Sequence, residues 1–253
     1  MNTVEHAYMG IDLTSQRKSF TCAMLDNSRR ILFCGTVTPM EWQSLLGSAQ
    51  NIIAAINSPL TLNAGFMADS EYRQNLNPPP AKNRFTDMRV CEYLLLTEGL
   101  SPTRTPRDVG RFSPSLQRAF KFSSELGMNG FQFWPFPNSR YQMFETHADA
   151  CYWSLLGKIK PYAVSSLEGR IQRQLALQTK GLPVKDAMAF FEEVTRHRLL
   201  TGKLPDENIL PPSSLNALVA AYTAWVIFNR PAEYNRVGEP DEGTLILPTP
   251  PQA

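Results

Sequence analysis

The run Tyr8-Met9-Gly10-Ile11-Asp12-Leu13 constrains the chain more than any other segment, because it is a short apolar strand that ends in a carboxylate. An acid on a buried strand is costly unless a cation, a phosphate or a hydrogen-bond network receives it. Any fold built on this strand must therefore bring partners to Asp12. A second run, Ile52-Ile53-Ala54-Ala55-Ile56, has no polar residue and reads as a strand covered on both faces. It ends at Asn57-Ser58-Pro59, so an amide stands where a second carboxylate would complete a metal cage.

Periodicity places the other elements. Phe20 to Leu25 and Ile31 to Val37 read as strands, joined by the turn Asp26-Asn27-Ser28-Arg29. Thr38 and Glu41 form a capping box with Pro39 at the first helical position. Segments 89–97, 115–126 and 148–157 read as helices, and 140–145 as a further strand that ends in an acid, Glu145. Ser165-Ser166-Leu167-Glu168 reads as a second capping box, and another helix is expected over 184–201. Ser213 is read as the N-cap of the last helix, whose stripe is Leu215, Leu218, Val219, Tyr222 and Val226. A final strand or hairpin is expected over 237–247. This order predicts an α/β fold, a mixed sheet with helices on both faces. Asp12, Asn57 and Glu145 would share the carboxyl edge of that sheet, where open α/β folds bind ligands. The length predicts one domain over 1–248, with an insertion or lid at 58–138 and a flexible tail at 249–253.

A net charge of +2 neither demands nor excludes a polyanionic partner. No run is apolar enough to span a bilayer, and Glu5-His6 ahead of the first strand is no signal pattern, so the expected location is cytoplasmic. The four scattered cysteines, without a Cys-x-x-Cys pair, read as reduced thiols rather than a disulfide or zinc framework.

Seven segments in order carry a resemblance: Gly10-Ile11-Asp12; Ile56-Asn57-Ser58-Pro59-Leu60; Arg89-Val90-Cys91-Glu92; Glu145-Thr146-His147-Ala148-Asp149 with Leu155-Leu156-Gly157; Leu167-Glu168-Gly169-Arg170-Ile171; Leu215 to Ala224; and Val237 to Gly243. Together they resemble the family of predicted nucleases catalogued as domain of unknown function 429. The resemblance implies a ribonuclease H-like fold and metal-dependent cleavage of phosphodiester bonds. It implies Asp12, Glu145, Asp149 and His147 as catalytic residues, with Asp12, Glu145 and Asp149 holding Mg or Mn. Substrate would be held by Arg89, Glu92, Arg104, Arg107, Asn57 and Asn216. The chain departs from the family pattern at Asn57, and again at Pro212, Ser213 and Asn216, where acids are expected.

The departures matter because two divalent cations about 3.5–4 Å apart repel each other and need several carboxylates to offset them. With acids missing at two places, the expectation falls to one ion or none. Plainer readings compete at each position. Asp12 can close a turn, Asn57 is a turn former, and Glu145 or Asp149 can cap the helix that starts near Ala148. His147 reads more readily as a hydrogen-bonded structural histidine than as a metal ligand or base. Arg84, Arg89, Arg104, Arg107, Arg111, Arg118 and Lys121 form a basic stretch suited to phosphates or simply to solvent. Arg170 and Arg173 read as solvent-facing. Three functions follow in order: a metal-dependent nuclease; a non-catalytic relative that binds nucleic acid or a protein; and a sugar-kinase or actin-like phosphotransferase, for which Asp12-Leu13-Thr14-Ser15 is a faint and glycine-less phosphate loop.

Overall fold

The computed structural model describes residues 4–13, 19–82, 84–194, 200–202 and 206–249. Thr14 and Ser15, residues 195–199 of the helix expected over 184–201, and residues 250–253 of the expected tail lie outside these.

The sheet begins as an antiparallel meander of β1 (Val4–Asp12), β2 (Phe20–Leu25) and β3 (Ile31–Val37). Beside β1 lie β4 (Ala49–Asn57) and then β6 (Tyr141–Thr146), both parallel to it. Next comes β8 (Leu245–Pro248), parallel to β6, and β7 (Tyr234–Val237) closes that edge antiparallel. The short β5 (Gln132–Phe133) pairs with β6 off the main path. The order is β3-β2-β1-β4-β6-β8-β7. As its unbroken apolar run predicts, β4 is central and buried from Ile52 to Ile56.

Helices cover both faces. One face, with Met9, Ile11 and Ile56, receives α1 (Pro39–Leu46) and, after α2 (Ser70–Gln74) and α3 (Val90–Thr97), α4 (Pro114–Met128). The other, with Tyr8, Ala55 and Phe144, receives α5 (Ala148–Leu155) and the long α8 (Pro212–Asn229). Between these two run α6 (Leu167–Thr179) and α7 (Met188–Glu193); of the helix expected over 184–201, residues 184–187 precede α7 outside any helix and residues 200 and 201 lie in a turn. Within the segment 58–138, α4 belongs to the main core, whereas Met67, Met88, Val90 and Tyr93 form a small cluster of their own.

In α8 the expected stripe becomes a fully buried cylinder. From Ser214 to Ile227 every residue except Asn216 is buried, the pattern of a helix enclosed on all sides. Ala217, Ala220, Ala221 and Ala224 keep its sheet-facing side thin. Gly10 of β1 takes this thinness to its limit. A Cβ there would lie 1.9 Å from the Ala217 carbonyl oxygen and 2.2 Å from the Ala221 nitrogen. Backbone meets backbone, so only glycine fits.

Two cap assignments change. The Thr38–Glu41 box forms as expected. At α6, however, Ser166 is the N-cap and accepts from the Gly169 N–H, so Glu168 lies in the first turn without closing a box. At α8, Pro211 is the N-cap, and Ser213 falls inside the first turn because Pro212 already has a helix-ready φ. All four cysteines are free; Cys22, Cys91 and Cys151 are buried, and Cys34 is exposed on the edge strand β3. Among the described residues no helix is long and apolar enough to cross a membrane.

Gly10→Ala should lower stability by about 3 kcal/mol or more, since the obstructing atoms are backbone on both sides. Urea unfolding followed by tryptophan fluorescence measures this. A wild-type midpoint in the variant would mean that α8 does not rest on β1.

Candidate functional site

Asp12, Asn57 and Thr146 are in register at the carboxyl ends of β1, β4 and β6. Successive side chains on a strand alternate between faces. Asp12 and Asn57 therefore leave the sheet on the α8 side, in phase with Tyr8, Gly10 and Ala55. Glu145 is in register with Ile56 and leaves on the opposite side.

Asp12 is fully buried. Its Oδ1 accepts from Asn57 Nδ2 at 2.9 Å, and its Oδ2 from Asn216 Nδ2 at 3.4 Å. Asn57 also accepts, at Oδ1, from the Ala148 N–H that opens α5, at 2.8 Å. An amide does both jobs at once, whereas a carboxylate at 57 would have no proton to offer Asp12. This gives Asn57 a structural reason beyond turn formation. Asn216 is delivered by α8, at the one break in its buried stretch from Ser214 to Ile227. Its Oδ1 is buried and lacks a hydrogen-bond partner among the described residues.

Glu145 meets a different partner. Its Oε2 accepts from the Leu60 N–H at 2.9 Å and from Arg89 Nη1 at 2.8 Å, and its Oε1 from Arg89 Nη2. Arg89 is the N-cap residue of α3, and its Nε donates to Glu92 Oε1 at 2.8 Å. Glu92 accepts further from the Arg89 N–H and from both the N–H and the hydroxyl of Thr105. Burial opposes a charge on Arg89, but Glu145, with Glu92 behind it, holds the guanidinium above its ordinary pKa. Charge-assisted, bidentate bonds of this kind are the strong class.

Asp149, in the first turn of α5, receives Arg173 Nη2 at 2.7 Å. Arg173 does not face solvent as expected. It is buried, donates to the Tyr162 and Gly169 carbonyls, and lies 5.3 Å from the Tyr152 ring. Arg170 likewise turns inward, to the carbonyls of Ile209 and Leu210. These arginines satisfy carbonyl groups of the connections around α6, a demand with no periodic signature. The N-cap of α5 is His147 rather than either acid. Its Nδ1 accepts from the Ala150 N–H at 3.2 Å. Burial pushes its imidazole below the ordinary range, against the pull of Asp149 and Glu92.

A cleft of about 320 Å³ opens over this edge, lined by Asn57, Arg89, Glu92, Glu145, His147, Asp149 and Asn216 together with several hydroxyls. Asp12 is not part of its lining; Asn57 and Asn216 stand in front of it. Arg104 is exposed next to Thr103 on the rim. Arg107 lies further off, its side chain over Gly65 and its N–H on Asp87. Among the described residues no three His, Cys, Asp or Glu side chains group as metal ligands.

Residues 10–242 match the model of a family described as protein of unknown function, DUF429. The chain belongs to the DUF429 family. The matched span reaches from Gly10 to Glu242, and so takes in every residue that lines the cleft except Leu245. No curated protein and no solved structure matches the chain.

Glu242 is a site-forming residue that sequence reasoning did not single out. It is buried and accepts from the Ala64, Gly65 and Val90 N–H groups, which ties the last hairpin to the start of α3. The available signal was an acid in the Val237–Gly243 motif, but its targets are backbone groups far away in sequence.

Asn57→Asp combined with Asn216→Asp puts two more carboxylates against Asp12. In EDTA the double variant should lose about 3 kcal/mol or more, through lost donors and like-charge repulsion. Adding Mn²⁺ should restore most of it. Thermal unfolding with and without Mn²⁺ measures both effects, and a variant unmoved by the ion would show that the three positions cannot act as a cation cage.

Proposed function

We propose that this DUF429 chain is a ribonuclease H-like module that has lost phosphodiester cleavage and works by binding nucleic acid. One observation carries the reading: each acid that a metal-dependent nuclease would use already has its partner within the chain. Asp12 is occupied by two amides, Glu145 by Arg89 and Leu60, and Asp149 by Arg173. Mg²⁺ demands near-octahedral oxygen ligands with lone pairs to spare. As arranged, these residues do not fit a pair of divalent ions. Asp12 and Glu145 also leave the sheet from opposite faces, which further separates their roles. The acids at the ends of β1 and β6, on a mixed sheet covered on both faces, support the ribonuclease H-like fold.

Binding would then rest on the rim. Arg89 has spent its donors on Glu145, Glu92 and Thr61, so it offers little to a phosphate. Arg104, exposed beside the cleft, is the basic group best placed to meet one. The second reading is the metal-dependent nuclease, favoured by the convergence of Glu145, Asp149 and the amides that screen Asp12 on one cleft. In that reading Mg or Mn would be held by Asp12, Glu145 and Asp149, and Arg89 would have to leave Glu145.

Incubation with single-stranded, duplex and hybrid substrates, with Mg²⁺ or Mn²⁺, distinguishes the two. The expected result is no cleavage, with binding that weakens as salt rises. Arg104→Ala should reduce the log–log salt slope by about 0.7–0.9, the share of one phosphate contact. Metal-dependent cleavage that disappears in Asp12→Ala would establish the nuclease instead. Absence of both binding and cleavage would remove nucleic acid as the partner.

A further inference from the structure

Two segments distant in sequence, at Thr61 and Glu145, converge on the Arg89 guanidinium together with Glu92 of its own helix. Nη1 donates to Glu145 Oε2 at 2.8 Å and to Thr61 Oγ1 at 2.7 Å, Nη2 donates to Glu145 Oε1, and Nε to Glu92 Oε1 at 2.8 Å. Arg89 and Glu92 are each 1% exposed, and Glu145 is 4% exposed. Two carboxylates and a hydroxyl are hard oxygen donors, the set that divalent cations prefer. Here they enclose a guanidinium.

The carboxylates do not owe their positions to Arg89 alone. The Leu60 N–H fixes Glu145, and the Thr105 N–H and hydroxyl fix Glu92. Each acid is thus presented by neutral donors on its own side, with the remaining lone pairs turned toward the space the guanidinium fills. A guanidinium suits that place because it is planar, always charged and weakly hydrated, so it is buried at lower cost than an ammonium.

We propose that Arg89 is the resident cation of this acidic edge: it takes the place between Glu145 and Glu92 that a divalent ion would need, and it excludes that ion. The proposal deepens, and rests on, the reading of the cleft as compensated from within. Arg89 thereby becomes a positioning residue that joins α3 to β6, rather than the phosphate-gripping group that its place in the basic stretch suggests.

Three forms of the full chain test this: wild type, Arg89→Met, and Arg89→Met combined with Glu145→Gln. Mn²⁺ is titrated into each, with free ion followed by electron paramagnetic resonance and stability by thermal unfolding. Arg89→Met should bind one Mn²⁺ at least about 10-fold more tightly than wild type. Its Tm should rise by roughly 5 °C or more when the ion is about 100-fold above its Kd. The double variant should lose both responses. The proposal is overturned if Arg89→Met gains no Mn²⁺ affinity, or if wild type binds the ion as tightly.

Should Arg89→Met fail to fold, wild type alone decides. The Arg89 Nε–H, buried and bonded to Glu92, should give a slowly exchanging ¹⁵N signal that persists unchanged in excess Mg²⁺, and its displacement by Mg²⁺ would overturn the proposal. The two readings fail separately. Metal-dependent cleavage by wild type defeats the non-cleaving function. A non-cleaving protein whose Arg89→Met form ignores Mn²⁺ defeats only the role of Arg89.

Discussion

The contact between α8 and β1 at Gly10 is the constraint on which the rest of the molecule depends. It brings a helix backbone directly onto a strand backbone, with no side chain between them at that point. That closeness sets the height of α8 over the sheet. It brings the first turns of the helix to the carboxyl edge, so Asn216 reaches Asp12. It also lets α5 pack behind, where the Tyr152 hydroxyl donates to the Leu215 carbonyl at 2.8 Å. The site is in this sense a by-product of how a small-residue helix lies on a strand that carries glycine.

Charge compensation at the carboxyl edge takes three forms over four acids, since two of them meet a buried arginine. Asp12 is met by neutral amides, Glu145 by a buried guanidinium, Asp149 by an arginine from α6, and Glu242 by backbone N–H groups. A buried ionised group must be paired and hydrogen-bonded to persist, and removing one partner costs far more than the pair contributes. The four arrangements also tie the segment between β4 and β6, the start of α3, α6 and the last hairpin to one another. What holds the edge together is thus the same set of bonds that occupies its acids. Asn216 Oδ1 is the exception, a buried acceptor at the mouth of the cleft without a partner among the described residues.

Much of the fold was legible in the sequence. The strand-like runs on either side of the Asp26-Asn27-Ser28-Arg29 turn matched β2 and β3 at their observed ends, and the Thr38-Pro39-Met40-Glu41 box opened α1 where expected. The failures have identifiable causes. Ser213 resembles a cap by residue type, yet the helix starts at Pro212, two residues earlier than a cap at Ser213 would place it. Arg173 lies on a helix with charged neighbours, yet carbonyls and Asp149 draw it inward. Arg89 looked like one member of a basic run, yet it is the most enclosed cation of the cleft.

By itself the sequence determined the local periods: the strands, the helices, the polar residues at strand ends and the glycine that admits α8. These follow from side-chain alternation and backbone sterics, which act over a few residues. Only the tertiary structure decided which acid meets which partner, and that Asp12 and Glu145 leave the sheet on opposite faces. Electrostatic partnership falls off with distance and depends on desolvation, and both are set by contacts between segments that the linear order keeps far apart.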